Sequence, residues 1–483
     1  MINKRLIYIA ITAGCMMAGA CTKFLDIVPK GKDTPHTLDQ YNGLLNSVTL
    51  INYSDVTQYA DGSSSIKGGT DMNVMMGDDM ISDSLYLSQL GPSYINSYTW
   101  KDNIYQPDED AIVWGAFYGQ NYTYNLVANN VMQVTDGNIQ KKKQLQAEAR
   151  VGRALMHFML LNYFAKPYDP ATAATDPGVP LVTEANALAS GFKRASVQEV
   201  YSYIVNELTA AIPDLPEVTP MRLRMGKSAG YYILGQVYLT MGKYDLALPV
   251  LQQSKAALAN SAVPVHLYDY NQLMPTWTSP FMPSFGAFNM PLQFDNEENI
   301  YLKQVSLLNF IFSNAGMVSP ATLAKFDPAD LRLNFFYGAD YFTGATKLPY
   351  QLHNSPFGVN YGPNLPGLYL MLAECKARTG DLAGATADLI TLRSARMPVA
   401  KAGVSATTQD DLIRFVIDER LREFACTGQR WFDMRRLSTD PLFKNITYTH
   451  TLGSATFTMP KARLTMKIPP KILLLNPGMV DNP

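Results

Sequence analysis

Apolar residues recur every three or four positions over most of the chain, the spacing of amphipathic helices rather than of strands. Trp114, Tyr118, Tyr122 and Leu126 stand four apart and predict one face of a helix over 110–134, with Asn125 and Asn129 on another stripe. Leu145, Ala149, Leu155, Phe158, Met159 and Tyr163 repeat the period over 140–165. A shorter helix is read from Thr37-Leu38-Asp39-Gln40-Tyr41 onward. Ser196-Val197-Gln198-Glu199 forms a capping box, in which hydroxyl and carboxylate satisfy orphan amides, and opens a helix reaching about Leu215.

Segments 228–258 and 367–396 look alike: a helix, a Gly-Lys-Tyr-Asp or Gly-Asp-Leu turn, then a second helix. Gly242 and Gly380 stand where each first helix ends, and Ala247 and Ala385 permit close packing in each second one. This is the tetratricopeptide pattern, with 140–165 and 196–215 as degenerate copies. The period fails over Met72–Trp100 and again over 262–366, where Pro, Gly, Asn and aromatics crowd and only short strands such as Asn299 to Gln304 are expected. Long irregular stretches in a compact chain are usually functional. The fold class is therefore mostly α: a helical scaffold of tetratricopeptide-like pairs with long irregular loops and a few short strands.

The first residues break the pattern differently. Lys4 and Arg5 precede an uncharged run from Leu6 to Met17, and Ala18-Gly19-Ala20 leads into Cys21. The run is shorter than the roughly 20 apolar residues a membrane span needs. Basic start, apolar middle and small residues describe a secretory signal over 1–20, and small residues before a cysteine resemble a bacterial lipobox. Cys21 is then the expected lipidation site and the protein is held by acyl chains alone. Cys15 competes, but it would leave an apolar core of about seven residues, the bottom of the usual range.

Composition narrows the function. Charged residues make up 17% and aromatics 11%, and the formal net charge of −1 excludes the basic footprint of a nucleic-acid binder. Beyond Cys15 and Cys21 only Cys375 and Cys426 remain, each in a helical pattern, and buried free thiols are expected. The five histidines are scattered and form no zinc or nucleophile–base arrangement. Asp78, Asp79 and Asp83, or Asp295 to Glu298, could offer oxygen to calcium, but neither has the loop spacing, so solvated loops and no metal are expected. Glu419 and Glu423 share a helix face, as a glycosidase pair could. Arg420 and Arg422 interleave, Asp418 and Glu419 are spaced to pair with Arg422, and neighbouring guanidiniums depress the pKa that a general acid needs raised. Structural ion pairing is the better reading, with Arg430, Asp433, Arg435 and Arg436 fastening the helix by the same means.

The C-terminal third carries Glu419-Arg420-x-x-Glu423 and Gly428-x-Arg430-Trp431-Phe432-Asp433-x-x-Arg436, which resemble the SusD/RagB family of outer-membrane nutrient-binding lipoproteins. Cys21 to Pro29, Trp100, Trp114, Tyr118, Asn129, the stretch Gln146 to Tyr168 with Pro177 to Glu184, and the closing Lys467 to Pro483 extend the likeness along nearly the whole chain; residues 262–366 match poorly. The resemblance implies a single unit over 21–483, comprising an N-terminal helical part to 260, a variable ligand-binding part over 261–366 and a C-terminal helical part from 367. It implies a cell-surface binding protein, not an enzyme. Such a protein needs no cofactor, is anchored to the outer membrane, and passes an oligosaccharide, or in some branches a peptide, to a SusC-like TonB-dependent transporter. An aromatic ring packs on a sugar's C–H face while amides and carboxylates bond its hydroxyls. Candidate rings are Trp277, Tyr86, Tyr94, Phe285, Tyr341 and Tyr361, with Asp79, Asn96, Asn289 and Asn360 as polar partners. Trp277 stands out because Pro275 and Pro280 bracket it in an aperiodic stretch, whereas Trp100 and Trp114 are assigned to the core.

Overall fold

The computed structural model describes residues 35–53, 55–58, 64–67, 72–279, 286–287, 289–306, 315–337, 352–353 and 358–483. The signal segment, Cys21, Phe285 and Tyr341 lie outside them. Helices dominate, as the apolar spacing predicts. Helix α1 (Leu38–Leu45) opens on a capping box between Thr37 and Gln40. Two short helices, α2 (Ser84–Leu87) and α3 (Pro92–Tyr98), interrupt the first irregular stretch. The long pair α4 (Ile112–Asn130) and α5 (Ile139–Phe164) follows, then α6 (Val197–Ala211), whose Ser196–Glu199 capping box is formed.

The two tetratricopeptide-like pairs are α7 (Lys227–Thr240) with α8 (Tyr244–Ala257), and, after α9 (Tyr270–Trp277) and α10 (Pro320–Leu323), α11 (Leu365–Arg378) with α12 (Leu382–Ser394). Gly242 and Gly380 end the first helix of each pair at φ +70° and +91°, a left-handed conformation that costs glycine nothing. Ala247 and Ala385 are fully buried between the paired helices. Helix α11 also packs on α8 and on α13 (Gln409–Glu423), so the pairs stack as one scaffold. Helices α14 (Gln429–Arg436) and α15 (Pro470–Leu475) complete the set. No helix among the described residues is long and apolar enough to cross a membrane.

The asparagine stripe on α4 has a structural use. Asn121 and Asn125 donate to the Val182 carbonyl at 2.7 and 2.9 Å, and Asn129 donates to that of Thr183 at 2.9 Å. Tyr118 donates to Pro180 O, and His157 Nε2 accepts from the Val182 amide. Burial lowers the His157 pKa to about 4, so the ring is neutral and can accept there. The extended exit strand after α5 is thus strapped across α4 by side chains.

Strands are short. β1 (Asp55–Gln58) pairs with β2 (Ser64–Lys67), and β9 (Thr449–Leu452) with β10 (Ala455–Thr458). β3 (Met80–Ile81), β5 (Met317–Val318), β7 (Leu352–His353) and β6 (Phe336–Tyr337) form one antiparallel sheet in that order. β4 (Gln304–Ser306) pairs with β8 (Gly358–Asn360). The strand expected over Asn299 to Gln304 is met only at its last residue; Asn299 instead forms an isolated bridge to Asn364.

Trp100 and Trp114 belong to the main core, as expected. Cys375 and Cys426 are buried free thiols.

Candidate functional site

The sheet order has a functional consequence. β3 belongs to the stretch 72–100 and its partners to 262–366, so the two aperiodic regions are hydrogen-bonded into one body. The turn before β3 is further tied down. His450 of β9 lies between the rings of Tyr98 and Trp100, 4.3 and 4.0 Å away, with its nitrogens 2.8 Å from the Tyr98 and Gly77 carbonyl oxygens. Trp100 Nε1 donates to Met76 O. Arg430 pairs with Asp78 at 2.5 Å, and Asp79 Oδ2 accepts the Cys426 amide at 2.7 Å. Asp79 Oδ1 is buried with no hydrogen-bond partner among the described residues, and burial raises the Asp79 pKa to about 7.

The predicted site residues fall in different places. Trp277 corrects an expectation: it sits in helix α9, not in a loop, and is buried with Tyr268, Tyr270 and Met274. Its ring meets those of Tyr268 and Tyr270 edge-on at 5.3 and 5.4 Å. Tyr361 is also interior, its hydroxyl donating to Thr427 O at 2.6 Å and accepting from Asn73. Asn96 donates to Ile104 O within the core. Asn360 accepts from the amides of Lys303 and Gly362 and donates to Asn299, so its amide shapes the turn beside β8. Asp79 is buried as described. Tyr86 is half-buried on α2, Asn289 is exposed, and Tyr94, though only 8% exposed and part of the main core, presents an edge to a cleft.

Two larger hollows, about 630 and 460 Å³, lie mainly against the scaffold helices, and two smaller ones lie beside the aperiodic stretches. One, about 140 Å³, lies between the 290–299 turn and the end of α13, lined by Tyr270, Phe335, Asn296, Asn360 and Arg422 among others. It holds half the space of the other smaller hollow, and both fall below the roughly 300 Å³ of an ordinary ligand pocket. Its polar groups are largely committed: Arg332 and Arg422 to carboxylates and a carbonyl, Asn299, Asn360 and Asn364 to neighbouring backbone and amides. The other, about 280 Å³, is lined by apolar Leu90, Pro92 and Tyr94 and by polar Gln106, Asp108 and Glu109. The side chains of Gln106 and Asp108 make no hydrogen bond to a described residue, so they are available to a ligand. The Tyr94 cleft is the better candidate.

The paired carboxylates on α13 are structural. Glu419 is fully buried and receives Arg332 at 2.7 Å, Arg393 at 2.6 Å and Arg422 at 2.5 Å. Burial alone would push its carboxyl pKa up; the charges of Arg332, Arg422 and Arg393 outweigh it and hold the group well below the usual range. Glu423 binds Arg396 and Arg332. The expected Asp418–Arg422 pair is not made; Asp418 faces Lys325 at 2.7 Å. Arg420 and Arg436 fasten Asp433, and Arg436 also holds Glu374. Arg435 differs: it donates to the carbonyls of Leu161 and Ala165 and lies over the Trp431 ring. Asp83 caps α2 rather than facing a cation, and among the described residues no three His, Cys, Asp or Glu side chains are grouped to hold a metal.

A helix-repeat scaffold carrying two fused aromatic stretches and a C-terminal arginine–carboxylate lattice defines a SusD-like protein. Residues 23–239 match a family described as starch-binding and associating with the outer membrane, and residues 367–483 match the SusD family. The chain belongs to the SusD/RagB family. Solved structures agree on the fold. A SusD superfamily protein from Bacteroides thetaiotaomicron is 18% identical with a TM-score of 0.69, over 92% of this chain and 100% of that one. A SusD-like carbohydrate-binding protein from Bacteroides vulgatus is 18% identical with a TM-score of 0.65, over 92% and 98%. A laminarin-binding SusD-like protein is 20% identical with a TM-score of 0.58, over 92% and 99%. No curated protein sequence matches the chain.

Proposed function

We propose that this chain is a non-catalytic glycan receptor, tethered to the outer membrane through acylated Cys21 and facing the cell exterior. It captures oligosaccharides and delivers them to a SusC-like TonB-dependent transporter. The observation that carries the reading is the Tyr94 cleft, which combines an uncommitted amide and carboxylate with apolar and aromatic lining on a body that joins both aperiodic stretches. Family membership and structural neighbours described as carbohydrate-binding and laminarin-binding support it. Tyr94, Gln106 and Asp108 in the cleft, together with Tyr86, Asn289, Phe285 and Tyr341, are the proposed ligand contacts; Trp277, Tyr361, Asp79, Asn96 and Asn360 serve the scaffold. Residues 21–483 act as one unit; the cleft itself is lined by residues 90–109, and 261–366 adds contacts from outside it.

Titration calorimetry and affinity gels against a polysaccharide panel test the reading. Binding of at least one glycan is expected, with Gln106→Ala and Asp108→Ala each weakening it roughly tenfold and leaving the melting temperature unchanged. Retention of peptides with no glycan bound would replace the ligand class by peptide.

A further inference from the structure

We infer that the Tyr94 cleft selects uncharged sugars and turns away glycans bearing carboxylate or sulfate groups. This rests on the glycan-binding reading and narrows its ligand. The polar wall holds two carboxylates, Asp108 and Glu109, and the amide of Gln106; no lysine, arginine or histidine lines the cleft. Asp108 is exposed and without a described partner. Glu109 uses only Oε2 internally, accepting the Ser93 hydroxyl and the Gln106 amide, and Oε1 has no described donor. Next to Glu109 the Tyr105 hydroxyl is buried without a hydrogen-bond partner among the described residues; burial, then the Glu109 charge, raises its pKa.

Outside the wall, Arg463 pairs with Asp102 at 3.3 Å, and Lys471 with Asp110. Carboxylate oxygens accept sugar hydroxyls well, since hydrogen bonds to a charged acceptor are about twice as strong as neutral ones. An anionic substituent set within a few ångströms of Asp108 and Glu109 meets repulsion that nothing in the wall offsets.

The test compares maltohexaose, laminarihexaose and cellohexaose with the same oligomers oxidised at C6 to uronic acids, by calorimetry on the mature protein at low and high salt. A neutral oligomer is expected to bind, its oxidised counterpart about ten times more weakly, and the gap to narrow with salt and in Asp108→Asn. Equal affinity for the oxidised oligomer, or a gap unchanged in Asp108→Asn, overturns the selectivity while leaving glycan binding intact. If no neutral or acidic glycan binds, the receptor reading falls and the selectivity with it.

Discussion

Replacing Glu419 with glutamine removes one negative charge from a dry lattice in which four guanidiniums, those of Arg332, Arg393, Arg396 and Arg422, face four carboxylates, those of Asp330, Glu298, Glu419 and Glu423. The Glu419 side chain has no exposure, and three arginines converge on it within 2.7 Å. In the variant one oxygen remains, the new NH₂ points a donor at donors, and one cation is left unbalanced. Breaking a buried pair in this way costs about 3–5 kcal/mol. Unfolding entropy of about 2.1 cal/mol/K per residue over roughly 450 residues gives ~1 kcal/mol per degree, so the melting temperature should fall by about 3–5 °C. Asp418→Asn, at the half-exposed Lys325 pair, is the control and should shift it by less than about 1 °C. Differential scanning calorimetry decides. Glu419 contributes fully above the unfolded carboxyl pKa of about 4.3, and the contribution is lost as pH falls toward its depressed folded value, so the variant's deficit should shrink in acid. An E419Q protein that melts with wild type refutes the reasoning. Loss of sugar hydrolysis without a melting shift would make Glu419 a catalytic group instead.

Three further outcomes are expected. The Asp79 pKa is raised to about 7 in the fold, so its ionisation weakens the native state progressively from about pH 4 up to about pH 7. Asp79→Asn should therefore gain on wild type across that interval, by up to about 4 kcal/mol, and the gain should then level off; urea melts over the range showing a constant difference would refute this. A Cβ on Gly152 would meet the Tyr124 ring within 2.5 Å, so Gly152→Ala should lose about 1–3 kcal/mol, read from its urea midpoint. Cys21→Ser should abolish palmitate labelling and release the protein from the membrane fraction; labelling that persists would move the anchor elsewhere.

The helical scaffold was legible because each helix buries one stripe against a neighbour, and that stripe is written in the apolar spacing of residues such as Leu145, Ala149 and Leu155. The left-handed turns at Gly242 and Gly380 were legible for the same local reason. Trp277 misled because Pro275 reads as a breaker, yet it falls in the closing turn of α9, where packing with Tyr268 and Tyr270 outweighs the lost amide bond. Asp79 and Tyr361 share residue types with ligand contacts, and only tertiary packing decides that both face inward. Gln106, Asp108 and Glu109 were missed since they follow the aperiodic stretch and meet Tyr94 only when the chain folds back. The polar run after Tyr105, opened by Pro107, was the one available sign. Arg435 gives no sequence hint that carbonyls and a ring, not a carboxylate, receive it.

Strands only two residues long fasten the stretch around Met80 to segments more than two hundred positions later. A clasp so small fixes its own few residues, and the segment joining β6 to β7 can change in length at little entropic cost, since closure grows only with the logarithm of loop size. Exchange of that segment is then a route to new ligand preferences on an unaltered frame, in a laboratory library as in a diverging lineage.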